Sequence, residues 1–169
     1  MSKIISIKLE KEKTLKKKYS NNILDLNDIS SENILKFNIN NQNNFINNLY
    51  LNNDFREKKE LISLLNAKIN NYKQQDIKKK INNNDLISLN QLIEKLVISK
   101  LLCFYCKKKI YLFYLNVREK LQWTLDRIDN NKNHSNDNTI ICCLDCNLKR
   151  RTKNKDDFLF TKQLIINKS

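Results

Sequence analysis

Two identical cysteine pairs constrain this chain more than any other feature. Cys103-Phe-Tyr-Cys106 and Cys143-Leu-Asp-Cys146 are both CxxC, with 36 residues between them. The two-residue gap lets both sulfurs of a knuckle meet one ion. Two knuckles therefore present four thiolates that can close around one Zn²⁺ at about 2.3 Å each; the alternatives are reduced thiols buried as small hydrophobes and a redox role for either pair. Four protein ligands fill a tetrahedron and leave no position for water, so a zinc held by Cys103, Cys106, Cys143 and Cys146 is expected to be structural. The separation exceeds the roughly 15–20 residues of a compact zinc ribbon, so something is inserted between the knuckles. The fifth cysteine, Cys142, adjoins Cys143 on a short apolar strand; it points to the other face and belongs to the core.

The metal reading needs reduced thiols. The N-terminus carries only a four-residue patch, Ile4, Ile5, Ser6 and Ile7, too short for the roughly 7–15-residue core of a signal peptide. No run of about 18 apolar residues exists, so no membrane span is expected. An intracellular, non-secreted protein is expected, in which cysteines bind metal rather than pair as disulfides. Lys and Arg total 32 against 18 Asp and Glu, a net charge of +14 that favours a polyanionic partner. Gly and Pro are absent and Ala67 is the one alanine. An AT-rich genome explains that bias more simply than a structural programme does. It excludes collagen-like and Gly-rich linker proteins, and it leaves turns to Asn and Asp.

The chain divides near residue 85. Residues 1–85 hold no Cys, His or Trp and read as an Asn/Lys-rich extension, helical or partly disordered. Within it, 20–53 is dominated by Asn, which competes for backbone hydrogen bonds and weakens helices. A better helix covers 54–70, with Asp54 and Glu57 as a capping box and Leu61, Leu64, Leu65 and Ile69 on one face. Residues 86–169 hold every cysteine, the only histidine (His134) and the only tryptophan (Trp123). A helix over 88–102 starts at a second capping box, Ser88 with Gln91. Strands are expected at 110–115, 121–125 and 139–142, then a helix from Leu144 to about Arg151 and a last one from Asp156. The fold class is α+β.

Between the knuckles stand Leu125-Asp126-Arg127-Ile128-Asp129-Asn130, His134 and Asn138, and Asn147 directly follows Cys146. This ordered set resembles the HNH endonuclease family, in its zinc-containing ββα-metal form and an Asp-Arg-Ile-Asp variant of it. The resemblance covers about residues 100–155. It implies a small ββα-metal domain that hydrolyses phosphodiester bonds in DNA with Mg²⁺ or Mn²⁺. Such an ion neutralises charge on the scissile phosphate and the leaving oxygen. The resemblance makes Asp126 and Asn147 the ligands of that catalytic ion. Asn138 would bridge the two ends of the loop and orient the catalytic side chain.

One position departs from the family. Arg127 stands where most members have a histidine base, and Arg cannot accept a proton near neutrality. The base must then lie elsewhere, and His134, eight residues after Asp126, has the right ordinary pKa of about 6.5. The alternatives are that His134 is a polar loop residue or a phosphate contact. Arg127 either holds the phosphate or is a solvated cation. Lys149, Arg150, Arg151, Lys153 and Lys155, five cations in seven residues, are expected to bind DNA phosphates without reading sequence. A monomer would nick, and a homodimer could cut both strands. The competing readings are a catalytically inactive zinc module that binds nucleic acid, and a zinc-stabilised protein-interaction module.

Overall fold

Helix α1, Gln42–Tyr50, forms in the Asn-rich stretch because its few apolar residues fall on one side. Ile46 and Leu49, three apart, are buried, and Phe45 meets Phe113 edge-on at 5.6 Å. Its first residue, Gln42, is fully buried. The Gln42 amide accepts from the Leu112 and Phe113 N–H groups and donates to the Phe113 carbonyl at 3.1 Å. These bonds explain why the expected strand at 110–115 does not form. At Leu112 and Phe113 the backbone is satisfied by a glutamine side chain, while Ile110 and Tyr111 bond to the backbone of Leu101 and Leu121, with one isolated bridge from Tyr111 to Gln122. Leu112 and Phe113 are both buried, against the alternation of a strand with one face in water. The computed structural model describes residues 37–82 and 84–164. The first part of the Asn-rich stretch, where disorder was expected, lies outside them.

Helix α2, Lys58–Lys78, starts at Glu57 with no side-chain cap, so the expected Asp54 box is not made, and it runs well past residue 70. One stripe along it buries Leu61, Leu65, Ile69, Tyr72 and finally Asp76. Helix α3, Leu89–Ile98, has the capping box its sequence encodes. Gln91 N–H donates to Ser88 Oγ at 3.3 Å and Ser88 N–H to Gln91 Oε1 at 2.9 Å. Strands β1, Trp123–Arg127, and β2, Thr139–Cys143, pair antiparallel, with Trp123 opposite Cys143 and Arg127 opposite Thr139. Helix α4, Leu144–Arg150, follows β2 without a linker. Asn154 caps α5, Lys155–Gln163, by accepting from Asp156 N–H at 2.8 Å. Five helices and a two-stranded antiparallel sheet make the described residues α+β. Ile46, Leu61 and Leu65 from before residue 85 join Leu92, Trp123 and Leu125 from after it in one hydrophobic cluster.

Both outer edges of the small sheet are satisfied by other parts of the chain. Along β1, Lys68 donates to the Trp123 carbonyl, Leu125 N–H donates to Tyr72 Oη at 2.9 Å and Asn147 Nδ2 donates to the Leu125 carbonyl at 3.1 Å. Arg150 reaches the Arg127 carbonyl. Along β2, Lys95 Nζ meets the Thr139 carbonyl at 2.9 Å and Phe104 N–H meets the Ile141 carbonyl at 3.0 Å. No helix among the described residues is long and apolar enough to cross a membrane.

Left-handed backbone is not left to Asn. Of the described residues with φ between 51° and 57°, only Asn52 is an asparagine; the others are Lys80, Lys100, Leu101, Lys107 and Arg151. Lys80 and Arg151 end α2 and α4, where a chain with glycine would place one. Lys107 closes the first knuckle, its N–H donating to the Cys103 carbonyl at 3.0 Å.

Candidate metal centre and adjoining cavity

The sulfurs of Cys103, Cys106, Cys143 and Cys146 all lie within 4.8 Å of one another and can hold a metal ion such as zinc. A tetrahedron with zinc–sulfur bonds of about 2.3 Å has sulfur–sulfur edges of about 3.8 Å. The Cys106–Cys143 separation is 3.9 Å, close to that edge, and the donors fit such an ion in type and number. Local structure builds it. The first knuckle lies in a turn between α3 and the buried 110–113 segment, and the second spans the junction of β2 and α4. Cys143 Sγ also caps α4, accepting from Cys146 N–H at 3.4 Å. The thiols share protons unevenly. Cys103 is pulled down to about 5, chiefly by the Cys143 S–H that donates to it, and Cys143 is pushed up by the same bond. Burial and then the Cys103 charge raise Cys146 to about 12. A divalent cation would replace these protons. Cys142 stands apart, fully buried on the other face of β2 with its sulfur 3.3 Å from Thr124 Oγ1.

An ion pair ties the two knuckles together. Arg150, one helical turn after Cys146, donates from Nε to Asp126 Oδ2 at 2.6 Å and from Nη2 to Asp126 Oδ1 at 2.8 Å. Tyr105, inside the first knuckle, donates its hydroxyl to Asp126 Oδ2 at 2.6 Å. All three are buried. Arg150 Nη1 also donates to the Lys153 carbonyl at 2.7 Å. Two expectations change here. Arg150 is not on the surface and is not free for a DNA phosphate. Asp126 is already neutralised by a bidentate arginine, with every carboxylate oxygen engaged, so it does not fit a metal ligand while that pair stands.

A cavity of about 460 Å³ opens beside the outer edge of β1, between α2 and α4. Asp126, Arg127, His134 and Asn147, drawn from separate parts of the sequence, line it together with Tyr72 and Lys79. Asn147 turns its Nδ2 to Thr124 Oγ1 and the Leu125 carbonyl, both at 3.1 Å. Its Oδ1 carries no hydrogen bond among the described residues. Asn138 ties the 128–138 loop shut. It donates from Nδ2 to the carbonyls of Asp129 at 2.9 Å and Asn133 at 2.8 Å, and it accepts from Asp129 N–H at 2.9 Å. Arg127 is not a solvated cation: it is buried, donating from Nη1 to Asp76 Oδ1 at 3.3 Å and to the Lys132 carbonyl at 3.2 Å. The other expected phosphate contacts are on the outside. Arg151 and Lys153 are exposed, Lys149 pairs with Asp145 at 2.7 Å, and Lys155 is half-buried beside Asp156 at 3.2 Å. Lys68 also lines the cavity, but burial lowers it to about 7, so near neutrality it holds only part of a charge.

Sequence reasoning missed Asp76, which is fully buried and accepts from both Arg127 and His134. Its signal was available: an acid at the end of an apolar stripe, four residues beyond Tyr72. His134 is buried, its ring stacked on Tyr72 with centroids 4.7 Å apart. Burial lowers its pKa first, and Arg127 and Lys79 add to that, against the pull of Asp76. The folded protein thus binds this proton more weakly than the unfolded chain. His134 therefore contributes full stability above the unfolded pKa of about 6.5, and that stability is lost as pH falls from there through the lower folded value. Urea unfolding from pH 8 down to 5 is expected to show a steeper loss in the wild type than in His134→Gln; parallel losses would contradict it.

No family model matches this chain, and neither a curated protein nor a solved structure does, so the HNH resemblance rests on the residues themselves.

Proposed function

We propose that this chain is an HNH-type endonuclease that hydrolyses phosphodiester bonds in DNA, with a structural zinc on the four cysteines and a divalent-ion requirement for cutting. The observation that carries this reading is the cavity. It gathers His134, Arg127 and Asn147 at one strand edge, beside a four-cysteine cluster that fixes the start of α4. In this reading His134 takes a proton from the attacking water, since its neutral imidazole lies in the cavity wall and can accept one; Lys68, lowered to about 7 by burial, is the other cavity group that could. Arg127 holds positive charge at the cavity wall, and the exposed Arg151 and Lys153 bring the backbone phosphates to its mouth. Asn147 Oδ1 is the cavity oxygen that suits a hard cation. Asp126 supports the site by anchoring α4 through Arg150.

The test is nicking of supercoiled plasmid with Mg²⁺ or Mn²⁺, wild type beside Asn147→Ala. Asn147→Ala removes no buried charge, whereas Asp126→Ala would strand Arg150 and confuse folding with catalysis. Metal-dependent nicking is expected from the wild type, with a loss of about 100-fold or more in the variant. One observation favours a second reading, a catalytically inactive nucleic-acid-binding zinc module: the carboxylate assigned to the metal is consumed by Arg150. That module would bind DNA with affinity falling steeply as salt rises, yet cut nothing.

A further inference from the structure

Asp76 belongs to α2, outside the segment that carries the HNH resemblance, yet it is the hub of the cavity wall. Its carboxylate receives three donors. Oδ1 accepts from His134 Nδ1 at 2.8 Å and from Arg127 Nη1 at 3.3 Å, and Oδ2 accepts from the His134 backbone N–H at 2.9 Å. A carboxylate only accepts, so the bond at 2.8 Å requires the proton on Nδ1. Neutral imidazole then has its lone pair on Nε2. That atom has no hydrogen-bond partner among the described residues, although His134 is 3 % exposed and forms part of the cavity wall. Stacking on Tyr72 sets the ring plane, and Ile87 N–H, bonded to the His134 carbonyl at 2.9 Å, holds the backbone.

We propose that Asp76 is a positioning residue that locks His134 in the Nδ1–H tautomer and presents Nε2 to the cavity as a proton acceptor. The lock stands on this geometry alone; the use of Nε2 as a base rests on the function proposed above. Helix α2 is then part of the site rather than an appendage, because it supplies the group that fixes the base. Asp76→Asn keeps the shape but offers one acceptor oxygen to three donors. Of those donors, only the imidazole can move its proton to its other nitrogen. The substitution therefore drives the ring toward the Nε2–H form, as in the loss of orientation when a triad aspartate becomes asparagine.

His134 is the chain's only histidine, so the full-length zinc-loaded protein, labelled with ¹⁵N, gives one imidazole pattern in a long-range ¹H–¹⁵N correlation. At pH 8 the wild type is expected to show protonated Nδ1 and unprotonated Nε2. An Nε2–H ring, or averaging between the two forms, would overturn the lock, and this measurement needs no variant to fold. In Asp76→Asn the pattern is expected to shift toward Nε2–H, with nicking slowed by about 10²–10⁴-fold and DNA affinity unchanged. A variant that keeps the wild-type tautomer overturns the role of Asp76. A wild type with the expected tautomer but no nicking upholds the lock and rejects the endonuclease reading.

Discussion

Removing the metal, or replacing Cys143 with serine, is expected to abolish the cooperative unfolding transition. Structural zinc contributes about 10–16 kcal/mol of apparent binding free energy in small zinc modules. That is comparable to the whole stability of a domain, about 5–15 kcal/mol. Cys143 is the most exposed to such a change because its sulfur serves twice, in the cluster and as the cap of α4. Without it, α4 loses both its start and its tie to the first knuckle, and Arg150 and Asn147 leave the edge of β1. Thermal unfolding followed by circular dichroism, with and without chelator, checks this. Cys142→Ser is the control: its sulfur is outside the cluster, so metal content should stay at one ion per chain. Chelated protein that keeps its transition would refute the structural role.

Arg150→Met is expected to destabilise the protein by about 3–5 kcal/mol, because it leaves Asp126 buried and charged without its partner. For a chain of this size that lowers the melting temperature by roughly 10 °C. Arg151→Met, one residue further on, is expected to change stability by less than about 0.5 kcal/mol, since its side chain is exposed. Replacing Asp126 and Arg150 together, with Leu and Met, should recover much of the loss, because an apolar pair of similar volume removes both buried charges. Equal melting temperatures for the two single arginine variants would contradict this account.

The contrast between Arg150 and Arg151 shows where the sequence was readable. Strand β1, strand β2 and helix α4 were legible because short apolar runs and CxxC spacing are local signals, although β1 lies two residues later than its expected 121–125. The Ser88 box was legible for the same reason. The 110–115 segment was misread because its backbone partner is the Gln42 amide, some 70 residues away, which no local pattern reports. Arg150 looked like one cation in a basic run. Its helical spacing from Cys146 puts it on the buried face, but its partner acid, Asp126, lies 24 residues earlier, beyond any local pattern. Asp76 meets its partners Arg127 and His134 only across more than 50 residues, although the stripe from Leu61 to Tyr72 leads straight to it. Left-handed turns fell to Lys, Leu and Arg because a chain without glycine must put them wherever the fold bends.

The caps along the two-stranded sheet also restrict how copies of this chain meet. A strand with bare amides and carbonyls invites another chain to zip onto it. Here a newcomer would find the β1 carbonyls held by Lys68, Asn147 and Arg150, its central amide held by Tyr72, and β2 held by Lys95 and Phe104. Such a short sheet would otherwise be the natural seed for intermolecular cross-strand stacking. Helix side chains deny it that role. Two copies poised to cut opposite strands of a duplex would have to join through helix faces, leaving each sheet edge turned toward its own cavity.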